Sequence, residues 1–171
     1  IPVLIGGVEA SLRRFAHYDY WDDKVRRSIL LDSRADLLMY GMGERQIVQI
    51  AECLESGMDV KDITYIKGTC YLSDTNDVFD SREIPSYEQC CEDKRAYADS
   101  CRIQYYEQNP YTGKALVQKH GNKYLVQNPP MEPLSRAELT ALAEALCRIL
   151  AERGEYHGGI RPDNISRAAD G

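Results

Sequence analysis

Two short apolar runs, each stopped by glycine and each followed by a helical pattern, limit what this chain can fold into more than any other feature. Ile1-Pro2-Val3-Leu4-Ile5 ends in Gly6-Gly7, and Asp36-Leu37-Leu38-Met39-Tyr40 ends in Gly41. A short unbroken apolar run suits a strand covered on both faces, which is the environment of a parallel sheet. After the first run, Val25, Ile29 and Leu30 share one side of a predicted helix over Asp23–Asp32. After the second, Ile47, Val48, Ile50, Ala51 and Leu54 predict an amphipathic helix over Glu44–Ser56, closed by Gly57 at the C′ position. Strand, helix, strand, helix predicts an α/β fold with a partial, doubly wound parallel sheet. Ligands in such sheets bind outside the carboxyl ends of the strands. Gly6, Gly7, Gly41, Gly43 and Glu44 are therefore expected on one crevice rim, as candidate cofactor-binding residues.

Further along, Ile66–Leu72 reads as an edge strand and Ser73–Glu83 as a polar loop. A long helix is expected from Ser86 to about Gln108, carrying Tyr87, Tyr97, Tyr105 and Tyr106. Ser86 can cap it, although Glu88 and Gln89 look offset from an ideal capping box. Asn109-Pro110-Tyr111-Thr112-Gly113 ends the helix. Leu116–Lys119 and Lys123–Val126 alternate as strands around a two-residue Gly121-Asn122 turn, and Asn128-Pro129-Pro130 forces an extended linker. Ser135–Arg153 is the last helix, with Ser135 and Glu138 as a capping box and Leu139, Leu142, Leu146 and Leu150 as its apolar stripe. Gly154 ends it, and the stretch to Gly171 lacks periodicity and is expected to fray. The organisation expected is a crevice domain over 1–72, a helix and β-hairpin extension over 73–134, and a C-terminal helix with its tail over 135–171.

The net charge of −6 over 171 residues argues against a broad nucleic-acid footprint. No apolar run approaches the roughly 20 residues that span a bilayer. The six cysteines form no CxxC set, and no secretion signal precedes them, so reduced thiols in the cytoplasm are the expectation. His17, His120 and His157 are far apart with no partner at ligand spacing, and no GxSxG occurs, so neither a metal site nor a nucleophile is expected. Gly41-Met42-Gly43-Glu44 would let a ligand approach the backbone at a helix start. Glu44 puts negative charge where a phosphate would sit, so a tight turn with an acidic helix start is the plainer reading. The densest aromatic and acidic cluster is His17-Tyr18-Asp19-Tyr20-Trp21-Asp22-Asp23-Lys24, flanked by Arg13-Arg14 and Arg26-Arg27. One reading is an interaction loop of Arg13, Arg14, His17, Tyr18, Asp19, Tyr20 and Trp21, laying aromatics over a substrate or a neighbouring domain while arginines pair its carboxylates. The other is an ordered surface loop packed on its own domain. Lys119, His120 and Lys123 make a basic turn, read as a solvated tip.

Residues 1–54, IPVLIGGVEASLRRFAHYDYWDDKVRRSILLDSRADLLMYGMGERQIVQIAECL, resemble the N-terminal part of the YgiQ (UPF0313-type) family of radical SAM proteins. Residues 104–130, QYYEQNPYTGKALVQKHGNKYLVQNPP, fit the same family, and the resemblance runs from Ile1 to about Leu134. The glycines after both strands also resemble the Rossmann-like, cobalamin-binding-like domain that precedes many radical SAM barrels. The resemblance implies a parent that holds a [4Fe–4S] cluster on a CxxxCxxC motif further along and uses it to reduce S-adenosylmethionine. Three thiolates would hold three irons, and the open iron would take the amino and carboxylate groups of the cofactor. This chain would be an N-terminal accessory piece lying against the barrel of the same parent, with no cofactor of its own.

The sequence departs from that pattern in three places. It has no CxxxCxxC, and Cys90, Cys91 and Cys101 have the wrong spacing for one. It has no DxHxxG cobalamin motif. After Pro129-Pro130 the family's Leu-Pro-Tyr and His-Pro are expected, yet a generic helix over Ala141–Arg153 and then Tyr156-His157-Gly158-Gly159-Ile160 follow, which suggests a truncated or frame-altered tail. Three functions are expected in order: a catalytically incomplete accessory piece of a radical SAM protein of unassigned substrate, a stand-alone module taking a small phosphate or nucleotide, and an interaction scaffold.

Overall fold

The computed structural model describes residues 1–152. The chain runs β1 (Leu4–Ile5), α1 (Gly7–Leu12), β2 (His17–Asp19), β3 (Lys24–Arg26), α2 (Ile29–Ser33), β4 (Leu37–Met39), α3 (Glu44–Glu55), β5 (Thr69–Ser73), β6 (Ser81–Ile84), α4 (Tyr87–Glu92), α5 (Lys94–Tyr106), β7 (Ala115–His120), β8 (Lys123–Gln127) and α6 (Arg136–Glu152). Six strands form one sheet in the order β1-β4-β5-β8-β7-β6, and β2 and β3 form a separate antiparallel hairpin. The α/β class is as expected, with helices covering the sheet. The described chain divides after Glu132, so Ile1–Glu132 is one compact unit and α6 belongs to a second.

The first expected strand pair is real, since β1 runs parallel to β4 with Leu4 opposite Leu37 and Ile5 opposite Leu38. Beyond it the sheet is mixed. β4–β5, β5–β8 and β7–β8 are antiparallel, and β6–β7 is parallel. The cause is the segment 57–68. After α3 has returned the chain along β4, this stretch runs the length of the strand a second time, so β5 enters from the opposite end. It is pinned as it goes, with Asn128 Nδ2 donating to Thr64 O at 3.0 Å and Gly68 N to Pro129 O at 2.8 Å. β5 is consequently an inner strand, not an edge, and the hairpin expected as an extension is built into the same sheet.

Local sequence accounts for the other departures. The helix expected over Asp23–Asp32 is β3 followed by α2. Asp23 turns the chain with φ +49, while Asp19 and Asp22 both hold Arg26 across the hairpin. α2 begins only after Ser28, its N-cap, whose hydroxyl accepts from Leu30 N at 3.2 Å. The loop expected over Ser73–Glu83 ends in β6. The helix expected from Ser86 to Gln108 breaks at Asp93, which is extended (φ −129, ψ 118) and caps α5 through Arg95 N at 2.8 Å. The capping box at Ser86 is complete: Gln89 N donates to Ser86 Oγ (3.2 Å) and Ser86 N to Gln89 Oε1 (2.9 Å). Gly121-Asn122 does join β7 to β8, with His120 opposite Lys123. The Ser135–Glu138 box also forms, and Leu139, Leu142 and Leu146 of α6 are exposed. Leu150, Arg153 and the tail lie outside the residues whose side chains are described.

Alternation along β4 explains its unbroken apolar run. Leu38 packs with Phe15, Leu30, Cys70, Leu116 and Leu125 on one face of the sheet. Leu37 packs with Ile50, Ile63 and Ile66 on the other. The basic turn is solvated at Lys119, Gly121 and Asn122, as expected, but not at His120. His120 is 5% exposed, stacks on Tyr87 with ring centroids 5.5 Å apart, and donates from Nε2 to Gln118 Oε1 at 3.0 Å. Burial pushes its imidazole down to about 4.

Two predictions follow from this packing. Gly68 has φ +74, and a Cβ there would lie 2.2 Å from Gln46 Nε2, whereas Gly57 has φ +88 and faces open space. Gly68→Ala should therefore lower the free energy of urea unfolding by about 2–3 kcal/mol, and Gly57→Ala by about 1; equal losses would show that the Gln46 contact is unimportant. Because folding depresses the His120 pKa, its neutral form contributes stability that is complete above about pH 6.5 and is lost as pH falls toward 4. That loss should total about 3 kcal/mol, and urea midpoints measured across this window should flatten in His120→Gln.

Candidate functional site

Parallel pairing puts the carboxyl ends of β1 and β4 side by side, so Gly6 and Gly41 lie on one rim. Gly6 precedes α1, and a Cβ there would sit 3.3 Å from Met39 Cε. Gly43 precedes α3 without a side-chain cap, and Glu44 opens that helix with its Oε2 buried and unpartnered. Gly41 is left-handed (φ +73), which aims its N–H at Ser11 Oγ, 3.1 Å away. Below this turn is a crevice of about 330 Å³ whose walls include Arg14, Tyr40, Gly41, Met42, Gln46 and Met131. Of the five rim residues expected from sequence, Gly41 lines it; Gly6, Gly7, Gly43 and Glu44 do not. A larger and more open groove of about 570 Å³, including Cys53, Met58, Tyr65 and Lys67, lies along α3, and no buried polar group is orphaned there.

Arg14, Tyr40 and Gln46 are the polar-bearing crevice residues that matter most among those sequence reasoning did not place there. Arg14 is 8% exposed. Its Nε donates to Gln127 Oε1 at 2.6 Å and its Nη1 to Ser11 O. Its guanidinium lies 5.0 Å from the Tyr40 ring centroid and 5.4 Å from that of Phe15. The Tyr40 hydroxyl donates to Asn128 O at 2.6 Å, and burial raises its pKa far above the usual phenol range. Gln46 is fully buried and donates from Nε2 to Tyr40 O at 3.3 Å, leaving Oε1 without a partner. A signal existed for both polar residues. Gln46 lies four residues before Ile50 on the buried stripe of α3, and Arg14 adjoins the buried pair Phe15-Ala16.

The candidate interaction loop is the β2–β3 hairpin. Arg13 and Arg14 do not pair its carboxylates, since Arg13 bonds Glu9 and Arg14 turns into the crevice. Arg26 does pair them, with Nε 2.5 Å from Asp19 and a second contact to Asp22, while Lys24 reaches Asp22 at 3.2 Å. The Arg26 bond holds the Asp19 carboxyl below its ordinary range. His17 is half-buried against Phe15 O (3.1 Å), and burial lowers its pKa. Tyr18 N donates to Tyr97 Oη at 3.1 Å, tying the hairpin to α5. At its tip Tyr20 and Trp21 meet edge to face and are 79% and 88% exposed.

Burial pushes the Cys70 thiol up to about 12 and Cys90 up to about 11, which keeps both protonated. Cys91 and Cys101 are exposed, and among the described residues no three His, Cys, Asp or Glu side chains could hold a metal together. His157 lies outside the described residues.

The chain is similar to known proteins along most of its length. A "UPF0313 protein" of Clostridium botulinum (strain ATCC 19397 / Type A) is 52% identical over 161 residues, covering 93% of this chain and 25% of the relative. A "UPF0313 protein" of Clostridium perfringens (strain ATCC 13124) is 56% identical over 141 residues, covering 81% of this chain and 21% of the relative. The chain thus spans about a quarter of the length of these curated relatives. No solved structure matches it. The Radical SAM N-terminal family matches residues 1–148, past the boundary expected near Leu134 and into α6, and the chain belongs to that family.

Proposed function

We propose that this chain is the accessory region ahead of the catalytic barrel in a longer radical SAM protein, and that it is catalytically incomplete without the rest. The observation that carries this reading is the family match over residues 1–148 in a chain a quarter the length of its relatives. The thiols described above do not suit a cluster, so the [4Fe–4S] group and S-adenosylmethionine belong to the remainder of the parent. No helix among the described residues is long and apolar enough to cross a membrane, and no disulfide joins the described cysteines, which suits work in the cytoplasm.

The β2–β3 hairpin is the surface we assign to contact with the barrel of the same parent. Its ion pairs hold a short backbone in one shape, and its tip offers a tyrosine–tryptophan pair to whatever lies opposite. Large rigid aromatics of this kind carry most of the energy in protein interfaces.

Anaerobic iron–sulfur reconstitution tests the division of labour. Cluster charge-transfer absorbance should develop in the parent protein and not in these 171 residues; absorbance in the short chain would sink the reading. Trp21→Ala tests the docking face. It should leave the melting temperature of this chain unchanged while weakening the contact in the parent by about 2 kcal/mol, seen as faster proteolysis between the two parts. The same cleavage rate in both parents would remove the hairpin from the interface.

A further inference from the structure

Arg14 is a buried cation without a buried anion. Among the described residues no carboxylate lies within ion-pair distance of it, and its neighbours are a backbone carbonyl, an amide and two aromatic faces. Neutral acceptors and ring faces compensate only part of the cost of removing a guanidinium from water. Its Nη2 donates to no protein atom among the described residues, although the guanidinium helps to wall the crevice. The half-used planar fork is the geometry that recognises an oxyanion.

Gln46 supplies a second, independent demand from the same crevice. Tyr40 O accepts from its Nε2, and the amide cannot be turned round without setting two acceptor oxygens against each other. Gly68 makes room for that orientation, since any side chain there would meet Nε2. Oε1 is left buried and unbonded, asking for a donor. The remaining walls include Leu12, Met42 and Met131, which are apolar.

We infer that this crevice is a binding site for a small organic carboxylate carrying a hydroxyl beside the acid group, the carboxylate taken by Arg14, the hydroxyl donating to Gln46 Oε1, and an apolar remainder lying on Leu12, Met42 and Met131. A hydroxyl suits the donor position better than an ammonium, because a second cation would stand beside Arg14. Inorganic phosphate suits it less, because it leaves the apolar walls uncovered. The site is built only from atoms of this chain, and its occupancy does not depend on the docking role assigned to the hairpin.

The test is titration calorimetry on the full-length parent with three probes: 2-hydroxy-3-methylbutanoate, 3-methylbutanoate and inorganic phosphate. The hydroxy acid should bind saturably, about tenfold more tightly than the deoxy acid and than phosphate. Arg14→Met should abolish binding of both acids, and it should lower the melting temperature only modestly, because the lost bond to Gln127 is partly offset by the relieved desolvation of the guanidinium. Gln46→Leu should erase the preference for the hydroxy acid while leaving the deoxy acid bound. Phosphate binding as tightly as the hydroxy acid, equal binding of the two acids, or no saturable heat from either acid would overturn the assignment. So would an Arg14→Met protein that binds both acids as the parent does.

Discussion

Two buried glutamines on neighbouring strands fasten the start of this chain to its last hairpin. Gln118 on β7 accepts from Ala16 N at 2.7 Å and donates to Pro85 O at 2.8 Å. Gln127 on β8 accepts from Arg14 Nε at 2.6 Å. The stretch between α1 and β2 crosses the sheet without a strand partner of its own, so its polar groups would otherwise be buried and unpaired, at about 1–3 kcal/mol each. With the amides in place, Phe15 joins the core cluster of Leu38 and Leu116, and Arg14 is held at the crevice just ahead of the β2–β3 hairpin. Core, crevice and hairpin all depend on two side chains that hydropathy alone would place at the surface.

The mixed order of the sheet also builds the crevice. A purely parallel sheet would bring only carboxyl ends to that rim. Here Met39 is paired with Thr69 and Cys70 with Gln127, so the rim collects the ends of β4 and β8 together with the start of β5. Antiparallel entry of β5 puts Gly68 against Gln46, and antiparallel return of β8 puts Gln127 against Arg14.

The parts of the fold legible in the sequence were those with short-range causes. β1, β4, α3 and the Gly121-Asn122 hairpin declared themselves by apolar runs, periodicity and glycine punctuation. The helix expected over Asp23–Asp32 failed because its spacing was right but Asp19 and Asp22 capture Arg26 more strongly than a helix would reward it. The direction of β5 was unreadable because segment 57–68 crosses the sheet with no periodicity to betray it. The capping box was missed by one residue, since α4 starts at Tyr87 and so makes Gln89 the third helical position. Of the site, Gly41 was visible as a turn. Arg14 and Gln46 carry only the indirect signal of their buried neighbours, because burial of a polar side chain is decided by partners that come from β8 and from the loop ahead of β5.

The two edges of the sheet matter in a different setting. β1 contributes two residues and follows Pro2, while β6 shows Arg82 and Glu83 to solvent and stops at Pro85. A short strand beside proline and a charged strand ended by proline are both poor templates for a passing strand. Relatives four times this length take that much longer to synthesise, and domains near the amino terminus fold while the remainder is still emerging from the ribosome. In relatives of that length, edges that refuse new partners would let the matching region stand folded beside hundreds of residues of nascent chain without seeding an aggregate.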